Sequence, residues 1–212
     1  MQSIMLRLKI DIKQKFKLVT FFILSTLLVA CSTLDTNAID AHRKFDRAKL
    51  DSQLLDLDKW QVSGVIGIIY NNKADSANYT YSQDKDNFIM SLYGPLGVGK
   101  VEISGDKNKV ILKNSKGEIL EAKDVKTLML DELGWYVPLD GLKYWIKAIA
   151  VPQTPANLKL KANNLAGELS QQGWKISYQG YELMDQKYPL PTKFRMSRGD
   201  ILLKVVIKSW QL

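Results

Sequence analysis

Few side chains in this sequence have the type and spacing for covalent or metal chemistry. There is one cysteine and one histidine, so no intrachain disulfide can form and no Cys/His metal cluster can be assembled. A histidine-dependent triad would rest on His42, which stands in a polar stretch, a poor setting for a buried base; a solvated surface position is expected. Asp131 and Glu132 are adjacent carboxylates, but neighbours on a helix point apart, so no catalytic residue and no metal site is expected. Gly94-Pro-Leu-Gly-Val-Gly-Lys100 matches the first seven positions of a phosphate-binding loop. The eighth position is Val101, where a hydroxyl should reach Mg²⁺. Such a loop also opens a helix whose amides hold phosphate, whereas Val101–Ile103 alternates like a strand, and Pro95 removes one backbone donor. The expectation is a glycine-rich hairpin loop without nucleotide or any other cofactor, in which Pro95, Leu96 and Gly97 present an apolar tip to a greasy surface.

The single thiol has a clearer context. Residues 7–17 are basic, and Leu18–Ala30 is an apolar run of 13 residues broken only by Thr20, Ser25 and Thr26. That length suits the core of an export signal, whereas a spanning helix needs about 20 residues. The run ends Leu28-Val29-Ala30-Cys31, which resembles the lipobox of bacterial lipoproteins. A small residue before the cysteine admits the peptidase, and the thiol accepts a diacylglyceryl group. The resemblance implies a signal peptide over 1–30, lipidation at Cys31 and a tether over 31–39, followed by a folded domain over 40–212. Ser32 stands where Asp commonly marks inner-membrane retention, which implies an outer-membrane destination facing the periplasm. Met1 and Met5 both remain possible starts.

The net charge of +8 overstates the basic character of the mature chain. Arg7, Lys9, Lys13, Lys15 and Lys17 against Asp11 leave the first 30 residues at +4, so residues 31–212 carry 25 basic and 21 acidic groups, also +4. A mildly basic domain is weak support for nucleic acid, which is not expected as a partner, and better support for an acidic partner or membrane surface. With 46% hydrophobic and 25% charged residues, the composition excludes a disordered tail or a fibre.

The elements that would position these residues follow from periodicity. A helix is expected from Asp40, with Ala41, Phe45, Ala48 and Leu55 near one face. Trp60–Tyr70 alternates, with Val62, Ile66 and Ile68 on one side. Asn71-Asn72-Lys73 reads as a turn. Asn78–Gln83 carries Tyr79 and Tyr81 on one face, and Asn87–Tyr93 carries Phe88, Met90 and Leu92. Short strands are expected near 99–104, 108–113 and 117–121, and again near 165–169, 173–183, 192–197 and 201–210. In the last, Leu203, Val205 and Ile207 oppose Lys204 and Lys208. Two short helices interrupt the pattern. Asp124 and Gly134 would bound one, with Val125, Leu128, Met129 and Leu133 at helical spacing. Asp140 would cap the other, with Leu142, Trp145, Ile146 and Ile149 in register. Pro152 and Pro155 then force a loop. Together these imply a mainly β (α+β) fold, an antiparallel meander with helices packed on its concave face.

The order and spacing of several pieces resemble the LolB family of outer-membrane lipoprotein receptors. They are Trp60-Gln-Val-Ser-Gly64, Tyr93-Gly-Pro-Leu-Gly97, Leu133-Gly-Trp135 with Val137-Pro138, Gly141-Leu-Lys-Tyr-Trp145, Gln172-Gly-Trp174, Tyr178, Leu190-Pro191 and Trp210. Val65 and Tyr81 depart from the family's frequent Arg and Trp. The resemblance implies an incomplete antiparallel β-barrel with a lid of about three short helices over a hydrophobic cavity. It also implies a monomeric receptor that is not an enzyme. Such a receptor takes lipoproteins from the periplasmic carrier LolA, holds their acyl chains and releases them into the inner leaflet of the outer membrane without nucleotide. The acyl-chain cavity would be lined by Val62, Ile66, Ile68, Tyr79, Tyr81, Phe88, Met90, Leu92, Leu128, Met129, Leu142, Trp145 and Ile146, and Leu96 would engage the membrane. Lys143 and Lys147 are expected on a carrier-docking rim. The alternative is a structural outer-membrane lipoprotein with a filled core and no acyl ligand.

Overall fold

In a computed structural model of the chain, residues 38–40, 42–94, 99–122, 125–133 and 136–212 are described. Cys31, Ala41, the Pro95-Leu96-Gly97 tip, Asp124, Gly134 and Trp135 lie outside the described residues. Among the described residues, eleven strands form one antiparallel sheet in the order β6-β5-β4-β3-β2-β1-β11-β10-β9-β8-β7. These are β1 (Lys59–Tyr70), β2 (Lys73–Asp84), β3 (Asn87–Tyr93), β4 (Val101–Gly105), β5 (Val110–Lys113) and β6 (Ile119–Ala122), then β7 (Ala156–Leu160), β8 (Ala166–Gln171), β9 (Trp174–Met184), β10 (Tyr188–Arg198) and β11 (Ile201–Gln211). Each half is a meander of hairpins, and the halves join where β1 pairs with β11. β6 and β7 are left as edges, so the sheet stays open and the barrel is incomplete.

Local chemistry sets the hairpins. Asn71 and Asn72 both adopt positive φ, as do Gln172 and Gly173. A two-residue hairpin turn with both centres left-handed matches the strand twist and favours Asn and Gly. At the β1–β11 seam the register slips between Ser63 and Gly64. A β-carbon on Gly64 would lie 2.0 Å from the Val206 carbonyl oxygen, so only glycine admits this close approach.

Among the described residues there are three helices. α1 (Arg47–Leu55) starts later than the periodicity suggests, because the Asp46 side chain accepts from the Lys49 amide and caps it there. Its buried residues are Leu50 and Leu54, not Ala48 or Leu55. They pack with Ile149, Leu165 and Leu190 in a cluster separate from the main core. α2 (Val125–Leu133) and α3 (Leu139–Trp145) put Leu128, Met129, Leu139, Leu142 and Trp145 into the main core. Asp140 does not cap α3: Pro138 takes that position, and Asp140 lies in the first turn, where its charge suits the helix N-terminus. β7 occupies ground expected to be loop. Its burial alternates too little to announce a strand, and pairing with β8 creates it.

Candidate functional site

Two stretches of the concave face differ in how they are filled. One is fully packed. Trp145 is wholly buried, and its indole N–H donates to Gln171 Oε1 at 2.9 Å. The backbone carbonyl of Trp145 accepts from the Tyr178 hydroxyl at 2.7 Å. Gln171 is 3% exposed, yet it is saturated: its Oε1 also accepts from the Val151 amide, and its Nε2 donates to the carbonyls of Val151 and Thr154. This one side chain ties α3 to the Pro152–Pro155 loop. Gly141 sits beneath the Trp145 ring, where a β-carbon would lie 2.7 Å from Cη2. Side chains on a helix lean toward its N-terminus, so glycine four residues back is what lets this indole fold down.

The other stretch is a cavity of about 50 Å³ between the sheet and the helices. Its wall takes Ile66, Tyr79, Met90 and Leu92 from β1–β3, Phe194 and Met196 from β10, and Leu203 and Val205 from β11. Met129, Val137, Leu139, Leu142 and Ile146 form the helical side. By this measure a water needs only about 10–15 Å³, so the cavity is real but small. Three of its wall residues are methionines, whose unbranched thioethers refit to irregular contents.

Of the residues expected to line a cavity, Ile66, Tyr79, Met90, Leu92, Met129, Leu142 and Ile146 do so. Val62, Tyr81, Leu128 and Trp145 are instead buried in the packed core, and Ile68 and Phe88 lie half-buried against it. The wall residues missed by sequence reasoning are Val137, Leu139, Phe194, Met196, Leu203 and Val205. The alternation of β11 already separated Leu203 and Val205 from the lysines. What no local pattern supplies is the pairing of β11 with both β1 and β10, which carries these side chains to the middle of the sheet.

The expected basic rim needs correction. Lys143 is half-buried, with its ammonium 5.3 Å from the Tyr144 ring centre. Lys147 is only 4% exposed, and its Nζ donates to the carbonyls of Leu54 and Leu57 at 2.5 and 2.8 Å. Those carbonyls lie at the C-terminal end of α1, where a cation is favoured. Arg47 of α1 reaches back to the Ala148 carbonyl at 2.9 Å, so the two cations clasp α1 to the turn after α3. Burial lowers the Lys147 ammonium from 10.5 to about 8, helped by Lys143. Lys147 is thus a structural tie whose ammonium is turned onto the end of α1 and not toward solvent. In the loop resembling a phosphate binder, strand β4 follows, and Lys100 bonds Glu102 at 2.8 Å. His42 is exposed.

The family model described as outer membrane lipoprotein LolB matches residues 58–210. An outer-membrane lipoprotein LolB of Francisella tularensis subsp. novicida is 58% identical over 210 residues, spanning 98% of this chain and all of that protein. One of Pseudomonas syringae pv. syringae is 31% identical over 196 residues, spanning 91% and 95%. Among solved structures, a LolA-superfamily protein from Nitrosomonas europaea superposes with a TM-score of 0.53 at 10% identity, covering 79% of this chain and 94% of that one. A DUF1329 family protein from Desulfovibrio piger gives 0.53 at 9% identity, covering 79% and 93%. At such identities the structural likeness concerns the fold.

Proposed function

The chain belongs to the LolB family of outer-membrane lipoproteins, and from that premise we propose that it is the receptor completing lipoprotein delivery. In this reading it takes lipoproteins from the carrier LolA, shelters their acyl chains in the cavity beneath α2 and α3, and yields them to the inner leaflet of the outer membrane. Cys31 carries the lipid that holds the receptor there. Leu96, stiffened by Pro95 between glycines, dips into the bilayer during release. The observation that supports the reading is the cavity wall: thirteen residues from sheet and helices, apolar apart from one hydroxyl.

The energetics set what such a receptor must do. An acyl methylene in water costs about 0.8 kcal/mol, so exposed chains would cost on the order of tens of kcal/mol and must pass from shelter to shelter. The cavity at about 50 Å³ is too small for them as it stands, so α2 and α3 part from the sheet on loading. No nucleotide is needed if each step runs downhill into the membrane. The test is photo-crosslinking during transfer from loaded LolA, with the probe at Phe194, which faces the cavity, or at the exposed neighbour Arg195. Crosslinks to cargo at 194 and none at 195 are expected. Full transfer with position 194 silent would sink the cavity role and favour a filled structural core.

A further inference from the structure

Among the described residues, two buried side-chain polar atoms lack any hydrogen-bond partner: Tyr79 Oη and Trp174 Nε1. Buried hydroxyls are almost always paired, and an exception calls for an explanation. Tyr79 is 5% exposed and belongs to the cavity wall, where, among the described residues, it carries the only side-chain oxygen or nitrogen. Burial without a partner also pushes its phenol well above the ordinary range, so it remains a neutral donor.

Its position along the wall matters as much. The described wall residues are all buried except Ile66 and Leu92, which are half-buried and so the most exposed part of the wall. Tyr79 stands between them. It pairs directly with Leu92 on one side and with Gly64 on the other, two residues from Ile66. Tyr79 is thus rooted beside the two half-buried wall residues, while its hydroxyl is shut off from water and has no partner. A lipid whose chains occupy that interior carries its ester or amide carbonyls at the head of the chains, the end nearest the half-buried residues that flank Tyr79. These carbonyls accept hydrogen bonds and cannot donate them, which complements a lone phenol donor.

Resting on the acyl-binding reading above, we propose that the Tyr79 hydroxyl seats a carbonyl of the ester or amide linkages of an acylated ligand at the cavity opening. It fixes how deeply the chains enter, while the apolar wall supplies most of the affinity.

The test uses the intact protein and a fluorescent diacylglyceryl-cysteinyl peptide in two forms, one with ester-linked chains and one with ether-linked chains that lack the carbonyls. Wild type should hold the ester form about 3- to 10-fold more tightly, the range of one net hydrogen bond. Tyr79→Phe should lose that preference, bind both forms like the ether, and melt no lower than wild type. An ester preference that survives in Tyr79→Phe would overturn the assignment. A diacyl phospholipid and its diether analogue, run in parallel, separate cargo from bilayer lipid as the source of the carbonyl. A Tyr79-dependent ester preference in either pair supports the role, and its absence from both refutes it. If wild type binds neither peptide, the acyl cavity itself falls and the assignment with it.

Discussion

Tyr81 and Tyr79 stand two residues apart on the same face of β2, and their surroundings divide the molecule. Tyr81 is 1% exposed, packs edge-on against Trp60 at 4.9 Å, and donates to Gln83 Oε1 at 2.9 Å. Gln83 in turn donates to the Lys85 carbonyl at 2.7 Å. Tyr79 has a hydroxyl with no partner and a cavity at its side. The side-chain polar groups of Tyr81, Trp145 and Gln171 all have their bonds, and the space around them is full, although the indole N–H of Trp174 beside Trp145 has no partner. Around Tyr79 the wall is apolar, rich in methionine and incompletely filled. Packed interiors respond to any change of volume, whereas a binding cavity must keep volume in reserve. The contrast is thus one between a region built to stay shut and one built to be occupied.

The largest expected effect lies in the filled region. Trp145→Ala would empty a site that is wholly buried and remove the indole donor to Gln171. A loss of about 3–5 kcal/mol of stability is expected for such a truncation, read as a lower denaturant midpoint. A loss below 1 kcal/mol would mean that Trp145 does not hold α3 on the sheet.

Opposite responses to added volume should sharpen the comparison. Val62→Phe overfills a wholly buried position and should cost about 1–3 kcal/mol. Leu142→Phe points its extra atoms at the cavity and should change stability by less than about 1 kcal/mol, while weakening acyl binding. Equal destabilisation by both, measured by chemical unfolding, would show that the cavity has no usable space.

A smaller effect concerns the clasp between α1 and the turn after α3. Lys147 is depressed from 10.5 to about 8 in the folded protein. Between those values the unfolded chain binds the proton and the native one has released it, so stability should rise with pH from about 8 toward 10.5. Below pH 8 both states are protonated and this contribution to the slope vanishes. The difference between wild type and Lys147→Met should therefore grow over that window, by up to about 1 kcal/mol per pH unit. A pH-independent difference would place the ammonium in water.

Much of this division was visible in the sequence, for identifiable reasons. The alternation of β1–β3 put Tyr79, Met90 and Leu92 on one face, and helical spacing put Met129, Leu142 and Ile146 opposite them. Local patterns determine which side of an element faces inward, but not what lies across from it. Val62 and Trp145 carry the same inward signal as Ile66 and Leu142, yet they fill space while the others border it. That outcome depends on β11 lying between β1 and β10, a pairing of the chain's distant ends. Lys147 misled because lysine normally shows its charge to water. Only the approach of α1's last carbonyls makes burial tolerable. Gln171 gave no signal, since its four hydrogen bonds come from loop backbone and an indole that folding assembles.

The finest test removes one oxygen from each of the two tyrosines. Tyr81→Phe deletes a satisfied donor and leaves Gln83 Oε1 without the phenol that bonds it. That acceptor is buried with the rest of Gln83, which is 6% exposed, so a loss of about 1–3 kcal/mol is expected. Tyr79→Phe deletes a hydroxyl that has no bond to lose. Burying an unpaired hydroxyl costs roughly 1–3 kcal/mol by protein mutational measures, so its removal should leave the empty protein as stable as before or more so. The two changes are chemically identical and share a strand, so differences in the unfolded chain largely cancel between them. The measured quantity is the difference between their midpoints in urea, taken without ligand. Tyr79→Phe above Tyr81→Phe by about 1 kcal/mol or more would show that the cavity wall carries an unspent donor. Equal losses would mean that Tyr79 has a partner in the folded protein, and the contrast between the filled and the reserved regions would no longer run through this pair.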